Sequence, residues 1–500
     1  MSVKSTEYSA LDELASRVQA DLHVLRFPHD PWVLPKAHPS GKHVYDVAII
    51  GGGQGGLAIA AGLLRERVDN IVVFDRQPKG LEGPWNNTAR MRTLRTVKHL
   101  PGIDATLTSL APQAWYTAKY GEEAWEELIK IPKGDWQEYL TWCRDTLKIP
   151  VENLTGVSNV IPEEKLFRLE LNRFDDRGEI SARDVVYARR VVVATGVDGS
   201  GAWHVPKFIS SALPKDRYAS SGEHIDFSKL VGKKIAVLGA GASAFDNAST
   251  ALEAGALEAT VCIRRKDIQR INPQIWMAKA GFLNHYADMD NSLKWKYMRH
   301  MFRYNIPAPQ DAYNRLSGLE GASVRTNAAW DGVKLVIDGG KEQVEVTLAS
   351  GDKLKVDYLI VAVGFVNDFS LRPELSSIAN DIALWQDKYS PAHGEEDAQI
   401  SSHPYLGENF EFVEKSPGEA PYIKNIFNFT YSALVSMGLS GSAISGFRYS
   451  VPRAVRGITK SLYLEDAEEI YNKFTDYAEL EMVGVVPFSN STQTSKIFAD

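Results

Sequence analysis

Cysteine is nearly absent: the 500-residue chain has two, Cys143 and Cys262, set far apart. That excludes a disulfide framework, a C-x-x-C redox pair and a thiolate metal site, and points to a reducing, cytoplasmic compartment. Also missing is any long basic run, and 56 Lys and Arg stand against 63 Asp and Glu for a formal charge of -7. Without a cationic stripe to track phosphates, nucleic acid is not an expected partner. The nearest approach to a membrane span, VAIIGGGQGGLAIAAGLL at 47–64, is interrupted by five glycines, so no membrane association is expected. The N-terminus lacks a basic region ahead of an apolar core. Its Leu11, Leu14, Val18, Leu22 and Leu25 fall at helical spacing and predict a short amphipathic helix with no export signal. The eleven histidines have no His-x-x-x-His or cysteine partners, which leaves no expected metal site. Tandem repeats and low-complexity tracts are absent too.

What is present is an ordinary globular composition, 44% apolar and 24% charged, in a chain long enough for two or three domains. After an irregular lead-in rich in Pro and His, the pattern from 44 is βαβ: an apolar strand to Ile50, a glycine turn, a helix over about 54–67, and a strand ending at Asp75. A helix is predicted over 134–147, and strands over 166–173 and 185–194 lead to VVVATG at 191–196. A second βαβ follows, with strand 234–238, helix 242–253 and strand 259–265, interrupted by an aromatic-rich helical segment over 274–316. The stretch 344–365 is expected to supply its closing strands.

In the first turn, Gly51-x-Gly53-x-x-Gly56 follows a buried strand and opens a helix at Gln54. Such glycines allow a tight turn, backbone approach to a pyrophosphate and close helix–strand packing, with the helix N-terminus facing the phosphates. Asp75, ~20 residues further on, stands where a carboxylate accepts a ribose hydroxyl. The second turn, Gly239-x-Gly241-x-Ser243-Ala244, relaxes the third glycine to alanine, which still packs. At its second strand end stand Arg264 and Arg265 and no carboxylate. Guanidinium groups suit a 2′-phosphate, so the pair of turns reads as one site for FAD and one for NADPH; the bland alternative makes both arginines solvated strand-end residues.

Together AIIGGGQGGLA, VVVATG, VLGAGASA and LIVAVGF resemble the motifs of two-dinucleotide-binding-domain flavoproteins. The resemblance implies an α/β fold of two Rossmann-like domains, the NADPH domain inserted in the FAD domain, with crossings at Ala194-Thr195-Gly196 and Ala362-Val363-Gly364. The expected division is 1–43 as helix and lead-in, 44–199 and 366–500 as the two parts of the FAD domain, and 200–365 as the NADPH domain. Lacking paired cysteines, the chain does not fit the disulfide reductases of this fold, and lacking a late Gly-Asp it fits the ferredoxin-type reductases poorly. Leu81-Glu82-Gly83-Pro84-Trp85 and Leu100-Pro101-Gly102-Ile103-Asp104 resemble motifs of class B flavoprotein monooxygenases, the flavin-containing, Baeyer-Villiger and N-hydroxylating group.

That resemblance implies FAD on Gly51, Gly53, Gln54, Gly56, Asp75, Gly83, Trp85 and Gly196, NADPH on the second turn, and insertion of one oxygen atom from O2 into a small organic substrate through a C4a-peroxyflavin. The alternatives are an NADPH-dependent flavoprotein reductase passing electrons to another acceptor, and a redox sensor without turnover. Departures accompany the likeness. Ser220 stands where the class fingerprint has glycine, so His224 reads as a linker residue, and Asp104 lies closer to its glycine than in the Baeyer-Villiger pattern. Arg92, Arg95 and Asp104 are the candidate catalytic residues, with Arg92, Arg95 and Lys98 equally readable as surface charge. Trp115, Tyr116 and Tyr120, and Trp136, Tyr139 and Trp142, read as core clusters. GLSGS at 438–442 lacks the final glycine of a nucleophile elbow. Substrate and oligomeric state are not legible.

Overall fold

Alternating buried β-branched runs and small-residue helices build two sheets, the first parallel with two antiparallel strands at one side and the second wholly parallel, one inside the other in chain order. The computed structural model describes residues 3–104, 106–304, 306–439, 443–482 and 484; positions 440–442 of the nucleophile-elbow reading lie outside them. The first sheet takes β1 (Val44–Ile50), β2 (Ile71–Phe74), β3 (Val151–Glu152), β4 (Thr155–Glu163), β5 (Leu166–Phe174) and β6 (Ile180–Val193), in the order β3-β2-β1-β6-β5-β4. The chain then crosses through β7 (Gly201–Trp203) into the second sheet, built from β8 (Tyr218–Ser220), β9 (Lys234–Leu238), β10 (Glu258–Cys262) and β11 (Ala322–Arg325). A hairpin pair, β12 (Trp330–Asp338), β13 (Lys341–Leu348) and β14 (Lys353–Val356), packs beside it. The closing strand is β15 (Tyr358–Val361), giving the order β11-β10-β9-β15-β8. The chain returns through β16 (Phe365–Asn367) and adds β17 (Ile426–Asn428) to β6 of the first sheet. The NADPH-type domain is thus inserted in the FAD-type domain.

The two crossings pair with each other: β7 and β16 form an antiparallel ribbon with Phe365 opposite Trp203 and Asn367 opposite Gly201. One expectation needs correcting. Only β15 of the stretch 344–365 closes the parallel sheet, because Ser350-Gly351-Asp352 turns β13 back onto β14 and their alternating burial suits a separate antiparallel sheet. The strand expected over 259–265 ends at Cys262, so Arg264 and Arg265 follow the strand.

The helical segment inserted over 273–317 comprises Pro273–Met277, Ala280–His285, Asn291–Tyr304 and Gln310–Ser317. Trp295, Met298 and Met301 of its long helix pack on Trp385, Ile400 and Leu434 of the returning chain. Of the two aromatic clusters, Trp115, Tyr116, Trp136 and Tyr139 are buried in one core with Trp125 and the first sheet, and Trp142 packs against it, whereas Tyr120 is exposed. The N-terminal helix Val3–Val24 docks through Val18. Among the described residues no helix is long and apolar enough to cross a membrane.

Candidate functional site

The parallel ladders bring the two glycine turns to equivalent places. Ile50 lies level with Phe74 and Val193, and Val193 with Asn428; Leu238 lies level with Cys262 and Val361. Each turn therefore emerges at the carboxyl ends of its strands, where open α/β sheets take ligands.

What each glycine is for can be read from the space a Cβ would enter. At Gly51, with φ +107°, it would come 2.6 Å from the Ala194 carbonyl oxygen, and at Gly56 it would come 1.8 Å from that of Gly51. These two glycines are demanded by the protein's own backbone. A Cβ on Gly53 would meet only Gly83, at 3.7 Å, so packing leaves room for a side chain there. The second turn repeats this. A Cβ on Gly239 would come 2.3 Å from the Ala362 oxygen, whereas one on Gly241 would meet only the Ile306 oxygen at 3.4 Å; Ala244 is fully buried. The alanines of the two crossing motifs thus do the same job, each closing against the first glycine of its turn.

The residues fit dinucleotides by independent signs. Gly53 and Gly241 cap their helices, Gln54–Arg65 and Ala242–Glu253, and offer the first turn no side-chain oxygen, the setting in which a helix N-terminus faces an anion. Near the first turn, Trp85 Nε1 and Thr195 Oγ1 are buried with no hydrogen-bond partner. Asp75 is buried, and its carboxylate accepts the Gly52 and Gln77 amides at 2.7 and 2.8 Å. Burial pushes its pKa up and those two N–H groups oppose the rise; one lone pair on each oxygen remains for a ribose hydroxyl. Trp136 Nε1 donates to Gln54 Oε1 at 3.3 Å and its ring meets Trp85 edge-on, so a core cluster also braces the turn. The Gly196 oxygen accepts the Tyr431 amide, and Tyr431 packs edge-on against Phe365 of the crossing ribbon.

The other candidate residues fall differently. Arg265 donates to the carbonyls of Tyr304 and Arg303, at 3.1 and 2.7 Å, tying down the end of the long inserted helix. Arg264 is exposed beside it. The buried Asp104 receives Arg65 at 2.8 Å and the amides of Thr106 and Leu107, which makes it the cap of its own turn. Gly102 of the same motif is needed because a Cβ would strike the Tyr139 hydroxyl at 2.2 Å. Arg92 meets Glu253 at 2.7 Å and Arg95 meets Asp246 at 3.2 Å, both on the helix that leaves the second turn. Arg315 joins the same acids, at 2.6 Å to Glu253 and 3.6 Å to Asp246, and donates to the Arg90 carbonyl at 2.8 Å. Sequence reading passed over Arg90, Lys133, Asp246, Glu253 and Arg315. Its one available signal was Asp246, Thr250 and Glu253 recurring on one helix face.

Comparison with known proteins agrees with this geometry. The family model for pyridine nucleotide-disulphide oxidoreductases matches residues 45–280. The FAD-dependent urate hydroxylase of Xanthomonas campestris pv. campestris is 38% identical over 480 residues, 96% of this chain and 98% of that protein. Among solved structures, the cadaverine monooxygenase DfoA of the Erwinia amylovora desferrioxamine pathway has a TM-score of 0.61 at 14% identity, covering 91% of this chain and 100% of that one. Ornithine hydroxylase PvdA from Pseudomonas aeruginosa has 0.62 at 16% identity, covering 84% and 99%. A bacillithiol disulfide reductase from Staphylococcus aureus shares the fold at 0.53 and 15% identity, covering 83% and 98%, so fold alone does not separate oxygenase from reductase. Similarity along nearly the whole of both sequences does: the chain belongs to the family of the Xanthomonas urate hydroxylase, among the flavoprotein monooxygenases with two dinucleotide-binding domains.

Proposed function

We propose that this FAD- and NADPH-dependent monooxygenase hydroxylates urate or a closely related oxopurine. The observation that carries the substrate is the 38% identity to a urate hydroxylase over 96% of the chain. In this reading FAD lies on Gly51, Gly53, Gln54 and Gly56, with Asp75 taking a ribose hydroxyl and Gly83, Trp85 and Gly196 lining its path. NADPH lies on Gly239, Gly241, Ser243 and Ala244, with Arg264 as the cation free for the 2′-phosphate. Bound FAD, reduced by NADPH, supplies the ring at which O2 is activated. The chain's part is positional. The two uncapped helix ends hold pyrophosphates, the crossing ribbon fixes the sheets against each other, and the inserted helices packed on Trp385 and Leu434 shield the junction from water.

Both cysteines are free and buried, and burial raises the thiol pKa of each, a state suited to a reducing cytoplasm and not to thiol chemistry. The test is urate-dependent NADPH consumption by the yellow, FAD-loaded protein, set against amine and thioether substrates. Faster turnover with an amine than with urate would move the proposal to N-hydroxylation.

A further inference from the structure

Between the two turns lies a charge imbalance that the functional reading above does not use. Arg90 sits five residues after Trp85 in the chain; its guanidinium donates to the carbonyls of Asn87 at 2.9 Å and Glu223 at 3.2 Å and lies 5.2 Å over the Phe227 ring, and its Nε is buried without a partner. Lys133 donates to the Ala89 carbonyl at 2.6 Å. Both cations thus rest on neutral carbonyls. Lys133 is also the first residue of the helix Lys133–Thr146, the end at which the helix dipole disfavours a cation. Burial lowers the pKa of both; for Lys133 the nearby Arg90 and Arg315 lower it further, against a smaller opposing pull from Asp246.

The surrounding acids are each paired with other cations. Asp246 is shared by Arg95 and Arg315, and Glu253 by Arg92 and Arg315. Glu223 and Asp311 are paired with Lys215 and Lys130. Desolvated cations left without counter-charge are costly, and an anion placed against them removes that cost. The place suits a substrate. Trp136, one helical turn beyond Lys133, is bonded to Gln54 of the first turn, and Arg315 links the Arg90 backbone to the helix of the second. The phosphates already have the two uncapped helix ends.

We propose that Arg90 and Lys133 form the anion-recognising part of the substrate site, taking the delocalised negative charge of a planar organic acid such as the urate monoanion. The choice of urate rests on the function proposed above; the anion site rests on the charges.

The test uses FAD-loaded full-length protein and its Arg90→Met, Lys133→Met and Lys133→Arg variants. Binding of urate, and separately of benzoate, is titrated by calorimetry without NADPH, and KM is measured for urate and NADPH. The expected result is an affinity loss of about tenfold or more for both anions in Arg90→Met and Lys133→Met, since a hydrogen bond to a charged group contributes on that scale. Lys133→Arg should restore binding, and KM for NADPH should stay within about twofold. Unchanged urate and benzoate affinity in Lys133→Met overturns the site, and so does a matching rise in KM for NADPH, which would assign the charge to a nucleotide phosphate. Wild-type protein that binds benzoate through Lys133 yet neither binds nor oxidises urate keeps the site and overturns the urate assignment. Lys133→Gln carries the test if Arg90→Met does not fold.

Discussion

At the scale of single residues, the glycines of each turn divide by cause, and the division can be measured. Gly53→Val should fold and lose FAD, because its side chain enters space that the protein's own packing leaves open; flavin absorbance after desalting, with the circular dichroism melt, checks both halves. Gly56→Ala should instead lower the melting temperature, since its Cβ has no room against the Gly51 carbonyl. The adjacent arginines should separate as well. Arg264→Ala is expected to raise KM for NADPH by roughly tenfold and to leave NADH use unchanged, whereas Arg265→Ala, which frees two carbonyls at a helix end, should cost stability first. Steady-state kinetics with both nucleotides, beside a melt, tells the two apart. Sequence could not have separated them: adjacency and charge are visible in the chain, but the carbonyls of Arg303 and Tyr304 reach Arg265 only through folding. Asp104 was hidden for the same reason, since its partner Arg65 lies at the far end of the helix Gln54–Arg65.

At the scale of elements, the helices after the two glycine turns and the strands before them were legible because a glycine at a strand end fixes both neighbours. The short crossing strands were not. β7 and β16 have three residues each, too few for a period, and exist because they pair with each other. The long late helix Phe447–Glu465 and the residue after it are held by buried charge: Arg189, on β6, meets Asp466 at 2.6 Å and Asp46 at 3.3 Å, and Arg190 meets Glu465 at 2.6 Å. Arg189→Met should leave the buried Asp46 without its ion-pair partner and Asp466 with Lys36 alone, and cost about 3 kcal/mol in urea unfolding. His403 gives a pH signature. It is buried, lies 2.8 Å through Nδ1 from the Gln399 carbonyl and 3.0 Å through Nε2 from the Asn367 amide, and burial pulls its pKa from 6.5 to about 4. Between those values the unfolded chain binds a proton that the native ring refuses. Stability should therefore fall as pH drops through 6.5 toward 4, by up to ~3 kcal/mol, with no contribution above that window. Urea midpoints of wild type and His403→Phe at pH 7 and pH 5 check the slope; an equal drop in both would place it elsewhere.

At the scale of the whole molecule, the twofold use of one nucleotide-binding unit explains why the chain carries two glycine turns, and the ion pairs of Arg92 with Glu253 and Arg95 with Asp246, with the Arg315 bond to the Arg90 carbonyl, fasten the first domain's loop to the second domain. The insertion of one domain in the other and the pairing of cofactors were legible from four short motifs, because each glycine pattern specifies a ligand as well as a turn. The substrate was not, because the anion site proposed for it draws Arg90 and Lys133 from two segments that no single stretch of sequence brings together. The most direct measurement of the central claim is ¹⁸O2 incorporation during urate-dependent NADPH oxidation by the FAD-loaded protein. The expected result is one labelled oxygen atom per product and one NADPH consumed for each urate lost. NADPH oxidation that urate does not stimulate, or product formed without label, would contradict it.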